Sequence, residues 1–262
     1  MKKLGTIILI ILCAILVAAI GYIGYTFYLS KTENISHPVV TFEIENYGSI
    51  KMELYPEYAP NTVANFIKLI EAGYYNDKTI YGKDDICLYV GRTIEGNAEL
   101  PKLSLIDNSI EADSEEDFEY EIEGEFILNG FERNTLKHDK GVITLIRTDY
   151  TSQIGGLVKE SYNSGNAQIG VIINENKNLN GAYAAFGRII EGLDILEKIN
   201  DEAEIEVLEE EDSAGGISSF SESIVIKTVK LDTFGLDYGI PKVHETFDYT
   251  AYLYNMLYSG NY

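Results

Sequence analysis

The stretch AQIGVIINENKNLNGAYAAFGRIIEGLDILEKI, residues 167–199, decides the fold because it holds three elements in a short space. Two apolar runs, Ile169 to Ile173 and Ala184 to Ile189, have the length and composition of β-strands. A third segment, Gly192 to Ile199, repeats apolar residues at the spacing of one helix face. The pattern predicts two strands followed by an amphipathic helix that packs against a sheet.

The same patterns extend over the preceding and following residues. Val39 to Leu54 alternates apolar and polar positions around Tyr47-Gly48, which predicts a hairpin with one buried face. Asn61 to Ala72 has helical spacing, and Val142 to Ile146 and Ile224 to Leu231 are typical of further strands. Short strands separated by turns, with only two helices, predict an all-β closed barrel or a sandwich.

Composition excludes several function classes. The 262 residues carry a formal charge of -22, with 42 acidic and 20 basic side chains, which argues against a nucleic-acid partner. The two cysteines do not have the spacing of a metal site or a disulfide framework. His37, His138 and His244 are far apart in the sequence and are predicted to be surface residues. We expect no metal and no cofactor.

The N-terminal segment has a different character. Residues 4–30 are 27 consecutive uncharged residues, longer than the roughly 20 that span a bilayer as a helix. This predicts a transmembrane signal anchor over residues 1–30, followed by a linker over residues 31–38. A cleaved signal peptide with Val17-Ala18-Ala19 at its cleavage site is the less favoured alternative. Lys2 and Lys3 predict that the N-terminus stays inside and that the acidic domain lies outside the cell membrane.

Three segments together resemble one family, the cyclophilin-type peptidyl-prolyl cis-trans isomerases. They are APNTVANFIKLIEAGYYN (residues 59–76), GEFILNGFERNTLKHDKGVITLIRT (residues 124–148) and the opening stretch, residues 167–199. The resemblance implies a closed eight-stranded antiparallel barrel with two capping helices over residues 39–235. Residues 236–262 then form a Tyr-rich C-terminal tail.

The family's reaction, as the resemblance implies, is rotation about the peptide bond before proline. That rotation has a barrier of ~18–20 kcal/mol and needs no covalent intermediate. The catalyst must bind the twisted peptide more tightly than either planar form. In the family an Arg within the segment F-H-R-x-I-x-G-F-M-x-Q-G-G fulfils this role, beside an apolar proline pocket.

A gapless alignment with that segment puts Ile80, Tyr81 and Gly82 at the Phe, His and Arg positions, so the family's Arg is absent. Lys83 is a weak substitute one place further along. The favoured interpretation of Gly82 to Asp85 is a plain hairpin turn.

The resemblance also implies the remaining site residues. Gln168 matches a Gln that contacts substrate backbone, while Gly170 stands where an aromatic wall is expected. Arg147 supplies a cation at the groove or is a surface residue, and both alternatives stay open. The catalytic candidates are Gln168, Lys83 and Arg147, and the substrate-binding candidates are Cys87, Leu88, Val90, Leu179 and Tyr183. A long insertion, residues 148–166, is expected to overhang the groove.

The sequence therefore favours a membrane-anchored extracytoplasmic isomerase that binds proline-containing segments of secreted or surface proteins. Loss of one electrostatic donor costs ~10²–10³ in rate, so its activity is expected to be weak. The alternative is a non-catalytic peptide- or protein-binding module with the same fold. A third hypothesis, suggested by the acidic loops, is a calcium-associated structural protein.

Overall fold

The computed structural model describes residues 15–16, 19–22, 37–206 and 216–258. The chain divides into two compact units, Met1–Ser36 and His37–Tyr262. Most of the predicted anchor, residues 1–30, lies outside the described residues, and the parts that are described are helical. None of the helices in the described ranges has both the length and the apolar character needed to cross a bilayer.

Eight strands form a closed antiparallel barrel, as the sequence predicts. In chain order they are β1 (Val39–Ile44), β2 (Gly48–Leu54), β3 (Thr79–Lys83), β4 (Cys87–Arg92), β6 (Val142–Leu145), β7 (Ile169–Ile172), β8 (Ala185–Glu191) and β9 (Ser218–Asp232). Around the barrel the order is β1-β2-β8-β6-β7-β4-β3-β9, and β9 closes the ring on β1. A separate two-stranded sheet joins β5 (Tyr120–Glu121) to β10 (His244–Glu245).

Residues 37–206 and 216–258 contain four α-helices, two of which the sequence predicts. The predicted pair is α1 (Pro60–Glu71), close to the expected residues 61–72, and α3 (Leu193–Glu202), which extends beyond the expected end at residue 199. The other two are α2 (Val158–Tyr162), inside the long insertion, and α4 (Tyr249–Tyr258), inside the C-terminal tail. Neither has the sustained apolar spacing that made α1 and α3 recognisable.

The core fills the barrel because alternate residues of each strand point inward. Aromatic rings from α1 and from distant strands meet there. The ring of Phe66 lies 5.0 Å from that of Tyr75 and 5.3 Å from that of Phe186. Such edge-to-face contacts stabilise a core beyond the area they bury. Hydrophobic packing of α1 across the barrel therefore ties the helix to the sheet.

The N-terminus of α1 is capped by a distant carboxylate. Ala59, the residue before the helix, provides no side-chain cap. The carboxylate of Glu125 instead accepts hydrogen bonds from the backbone N–H groups of Asn61, at 3.0 Å, and Thr62, at 2.7 Å, and from the Thr62 hydroxyl at 2.8 Å. An anion at this end also interacts favourably with the helix dipole.

His138 is not a surface residue, contrary to the expectation from sequence. It is 1% exposed, and its ring Nε2 lies 3.1 Å from the Thr144 hydroxyl. Its backbone N–H donates to Asn180 Oδ1 at 2.7 Å. Burial lowers the pKa of His138 to about 4, so the ring stays neutral. The residue fixes the turn before β6 to the loop before β8.

The described part of the C-terminal tail, residues 236–258, contacts the barrel domain. After β9 the chain passes the start of α1, where Lys242 N–H donates to Asn61 Oδ1 at 2.7 Å and its carbonyl accepts from Asn61 Nδ2 at 2.9 Å. It then pairs through β10 with β5 and enters α4. We call residues 242–250 the strap. The sequence left open whether this region packs on the barrel.

Replacing Glu125 with Ala should lower the free energy of unfolding by about 2 kcal/mol, because three buried donors lose their charged acceptor. Urea denaturation of the full chain measures the loss. Glu123→Ala, at an exposed position two residues earlier, is the control and should change stability by less than about 0.5 kcal/mol. Equal losses in both variants would contradict the capping role.

Candidate active site

The β3–β4 hairpin has a turn fixed by one aspartate. The carboxylate of Asp84 accepts from the backbone N–H groups of Ile86 and Cys87, both at 2.7 Å, and from the Tyr89 hydroxyl at 2.7 Å. An Asp that bonds the backbone two and three residues ahead is typical of a tight turn. The hairpin interpretation is therefore correct, although the turn lies later than Gly82, which is still within β3.

Lys83 does not lie at the groove. Its ammonium donates to the backbone carbonyl of Asn200 in the last turns of α3. A cation there satisfies a terminal helix carbonyl and complements the helix dipole. The proposal that Lys83 replaces the missing Arg is therefore not supported by its position. Position 82 also has no room for an Arg side chain, since a Cβ atom there would lie 2.6 Å from the Ser218 carbonyl oxygen.

Two irregularities in the β3–β4 pairing set the direction of the site residues. The register shifts between Ile80 and Gly82, which leaves Tyr81 as an extra residue, and again between Thr79 and Ile80. The second shift leaves Gly91 unpaired, with φ of +120°. A Cβ there would lie 3.2 Å from the Ala167 carbonyl oxygen, so glycine is required. Bulges of this kind redirect neighbouring side chains.

The redirected side chains form a hydrogen-bonded group with Gln168. The guanidinium carbon of Arg92 lies 4.2 Å from the centre of the Tyr81 ring. The Tyr81 hydroxyl donates to Gln168 Oε1 at 2.8 Å. Burial raises the pKa of Tyr81 to about 12 despite the opposing effect of Arg92, so the hydroxyl keeps its proton. Arg92 Nε is buried and has no hydrogen-bond partner among the described residues.

Arg92 was missed in the sequence analysis. A gapless alignment places it ten residues after the family's Arg position, where no cation is expected. The available signal was Gly91, because an isolated glycine inside a strand often marks a bulge. Without the register, that signal does not say which side chain is redirected.

Arg147 lies on the same face, next to two tyrosine rings. One belongs to Tyr183, a predicted substrate-binding residue, and the other to Tyr162 in the insertion. Its guanidinium carbon is 4.5 Å from the ring centre of Tyr183 and 5.0 Å from that of Tyr162. Its Nη1 donates weakly to the Ser161 carbonyl at 3.4 Å. Of the two alternatives for Arg147, the structure places it half-buried at the cleft rather than on the open surface. Stacking on planar rings holds a guanidinium in one orientation.

These residues border a cleft of about 760 Å³. The barrel wall and the opposite, outer wall come from different parts of the chain. The barrel wall includes Tyr81, Arg92, Ile146, Arg147 and Gln168, and the outer wall includes Glu121, Tyr150, Glu245, Phe247 and Tyr249. The insertion therefore contributes to the groove, as predicted, through Tyr150. The strap contributes a wall that the sequence did not indicate.

The outer wall is held by a short sheet and an aromatic cluster. Beyond the β5–β10 pairing, Thr246 N–H donates to the Glu119 carbonyl at 3.1 Å. The Tyr150 ring lies 5.1 Å from the ring of Phe247 and stacks on that of Tyr249 at 5.5 Å. The insertion and the strap thus stabilise each other at the edge of the cleft.

Glu121 is a buried carboxylate at the base of the outer wall. It is 4% exposed, and it accepts one hydrogen bond, from Phe247 N–H at 3.3 Å. No cation within the described ranges forms an ion pair with it. Burial raises the pKa of Glu121 to about 7 because ionisation in this site is poorly compensated.

Several predicted pocket residues do not border the cleft. Leu88 and Val90 are 0% and 3% exposed and point into the barrel core, because they occupy the inward positions of β4. Cys87 belongs to a separate buried cluster, against which Leu179 packs, and burial raises its thiol pKa to about 12. Gly170 does not supply the expected aromatic wall, and a Cβ at this position would lie 2.9 Å from Ile146 Cδ1.

The fold and the cleft define a class of protein. Its members are closed antiparallel barrels whose outer face carries a groove lined by cationic and amide side chains. Residues 39–230 match the family model described as cyclophilin type peptidyl-prolyl cis-trans isomerase/CLD. This chain belongs to the cyclophilin-type peptidyl-prolyl cis-trans isomerase family.

Similar proteins from several organisms are named as peptidyl-prolyl cis-trans isomerases. A probable peptidyl-prolyl cis-trans isomerase of Brucella suis is 22% identical over 232 residues, which cover 82% of this chain and 95% of the relative. CYP23 of Arabidopsis thaliana is 22% identical over 184 residues, 70% of each chain. Peptidyl-prolyl cis-trans isomerase-like 2 of Rhizopus delemar is 26% identical over 157 residues, 60% of this chain, which spans only 24% of that relative.

A cyclophilin-type isomerase of Cryptosporidium parvum has a solved structure with the same fold. The match has a TM-score of 0.50 at 18% identity and covers 75% of this chain and 98% of the other. A second structure of that protein was determined in the presence of the dipeptide Ala-Pro.

The raised pKa of Glu121 predicts a pH-dependent stability difference. The native state holds a proton on Glu121 up to about pH 7, whereas the unfolded chain releases it near the ordinary value of 4.5. Wild-type stability should therefore fall as the pH rises from 4.5 to 7, relative to Glu121→Gln, and the difference should be constant above that range. Thermal unfolding measured at several pH values checks this.

Glu115→Gln, at an exposed position of the same acidic region, is the control and should follow the wild type at every pH. A Glu121→Gln difference that does not vary with pH would show that the carboxylate has an ordinary pKa.

Proposed function

We propose that this chain catalyses prolyl cis-trans isomerisation in the cleft and that Arg92 supplies the cation which the alignment lacks. The observation that carries the proposal is the position of Arg92, stacked on Tyr81 beside Gln168 with an unpaired Nε at the cleft. Family membership supports the reaction type.

The proposed mechanism depends on orientation rather than covalent chemistry. Conjugation between the prolyl nitrogen and the carbonyl group of the preceding residue creates the barrier of ~18–20 kcal/mol. As the bond twists, the nitrogen becomes a hydrogen-bond acceptor, and a fixed guanidinium donor then binds it more strongly than in the planar state. Gln168 is placed to hold the substrate backbone while its Oε1 accepts from Tyr81. The side chains of Arg92 and Gln168 are held in place before the substrate binds, and hydrogen-bond donors that are fixed in advance stabilise a transition state more effectively.

Arg92→Ala should lower kcat/KM for a prolyl peptide by ~10²–10³, the effect of removing one preorganised donor. Arg92→Lys should recover only part of the loss, because an ammonium lacks the planar fork that stacks on Tyr81. A protease-coupled or NMR exchange assay on the full chain in detergent measures both variants.

Arg133→Ala is a matched control, since Arg133 is exposed and does not border the cleft. It should leave kcat/KM unchanged. Full activity in Arg92→Ala would refute the assignment of Arg92, and activity that survives only with Arg147 intact would transfer the role to that residue.

The second candidate function is a binding module without catalysis. The observation that favours it is the outer wall of the cleft, which would slow the release of a bound peptide. Wild-type protein that binds prolyl peptides and does not accelerate their isomerisation would select this alternative.

We also propose that the domain is anchored in the cell membrane and acts on secreted or surface proteins. The support is the run of 27 uncharged residues after Lys3 and the acidic character of the rest of the chain. The full chain should fractionate with membranes after a high-salt wash, whereas a variant without residues 1–30 should be released. Protease added to intact cells should digest residues 37–258 if they are extracytoplasmic.

A further inference from the structure

We propose that the outer wall of the cleft contains a subsite for a basic side chain of the bound peptide, formed by Glu121 and the rings of Tyr150, Phe247 and Tyr249. The subsite rests on the proposed function, because it names the class of prolyl segment that the cleft selects: one with Lys or Arg close to the proline.

The first observation is the buried carboxylate without a cation. Carboxylates are rarely buried unless they are paired or well hydrogen-bonded. Glu121 is 4% exposed, yet its sole hydrogen bond from the described residues is the 3.3 Å contact with Phe247 N–H. It borders the cleft directly. Once ionised, Glu121 has no counter-charge among the described residues, so a cationic side chain of a ligand would stabilise it at this position.

The second observation is the aromatic cluster around that carboxylate. Tyr150, Phe247 and Tyr249 are half-buried, and their rings lie 5.1 to 6.4 Å apart. Ring faces attract Lys and Arg side chains, and a buried carboxylate adds to that attraction. The cluster is built from two segments more than 90 residues apart in sequence, so the fold maintains it through specific packing.

Charge distribution gives the bound peptide an orientation. Arg92 and Arg147 lie on the barrel wall, whereas Glu121, Glu245 and Asp248 lie on the outer wall. A peptide whose prolyl bond meets Arg92 is therefore repelled from the barrel wall if it carries a basic side chain, and attracted to the outer wall. Within the described ranges no group of three or more His, Cys, Asp or Glu side chains is arranged to hold a metal ion, which favours an organic cation.

Two basic residues of this chain lie near Glu121 and do not occupy the subsite. Lys159 and His244 border the far side of the strap together with Glu121. Within the described ranges neither forms an ion pair with it. The strap also lies beyond residue 230, where the family match ends. The subsite thus depends on a feature added to the family's barrel.

The test uses the full chain in detergent at pH 8, where Glu121 is mostly ionised. Each peptide contains a single proline and one Lys, placed at either of the two positions before the proline or either of the two positions after it. Each is matched with a peptide that has norleucine in place of Lys. The best Lys peptide should show a kcat/KM about tenfold above its norleucine partner, the effect expected of one charge-assisted contact. In Glu121→Gln this ratio should fall to about twofold or less.

Glu121→Gln keeps an acceptor for Phe247 N–H, so the strap can stay in place while the charge is lost. Glu115→Gln is the matched control and should retain the tenfold ratio, because Glu115 is exposed and does not border the cleft. Equal rates for Lys and norleucine peptides in the wild type, or a ratio unchanged by Glu121→Gln, would overturn the subsite.

A binding assay separates failure of the subsite from failure of the isomerase function. Fluorescence anisotropy measures the affinity of the same labelled peptides without turnover. If no peptide is isomerised but the Lys peptide binds about tenfold more tightly, and only with Glu121 intact, the proposed function is wrong and the subsite holds. If isomerisation is rapid with no preference for Lys in rate or affinity, the subsite is wrong and the function holds.

Discussion

The hydrogen-bonded pairing of β3 with β4 is the constraint on which the candidate site depends. Regular pairing would alternate the side chains of both strands between core and surface without a break. The extra residues Tyr81 and Gly91 interrupt that alternation. As a result, Leu88 and Val90 fill the barrel while Arg92 reaches Tyr81 on the outside. Two single-residue insertions therefore determine which side chains face a substrate.

The strands and the two long helices could be predicted from sequence because their signals are local, whereas the choice of a barrel over a sandwich came from the family resemblance. Alternation in residues 39–54 and the spacing in residues 61–72 each report the face that a strand or helix buries. Gln168 and Arg147 could be located by resemblance, and the structure brings both to one cleft, whereas Tyr183 contacts Arg147 without bordering that cleft. The hairpin residues could not be located in this way. A gapless comparison assigns each side chain to a face from its residue number alone. A bulge moves the following side chains to the opposite face, and the residue numbers do not show this.

The outer wall could not be predicted, for a different reason. Its contacts join Tyr150 of the insertion to Phe247 and Tyr249 of the strap, and each segment taken alone is polar and irregular. A two-residue strand such as β10 is too short to give a periodic pattern. Packing between distant segments therefore decides the shape of the cleft, as is common for functional loops on a rigid scaffold.

The place of β9 in the barrel also sets an order of assembly. This strand pairs with both β1 and β3, so the ring cannot close before residues 218–232 have been synthesised. The strap follows in the chain and attaches outside the ring, through β10 to β5 and through Lys242 to Asn61. A nascent chain that ends at residue 232 therefore contains every strand of the ring but lacks the part of the outer wall that the strap supplies.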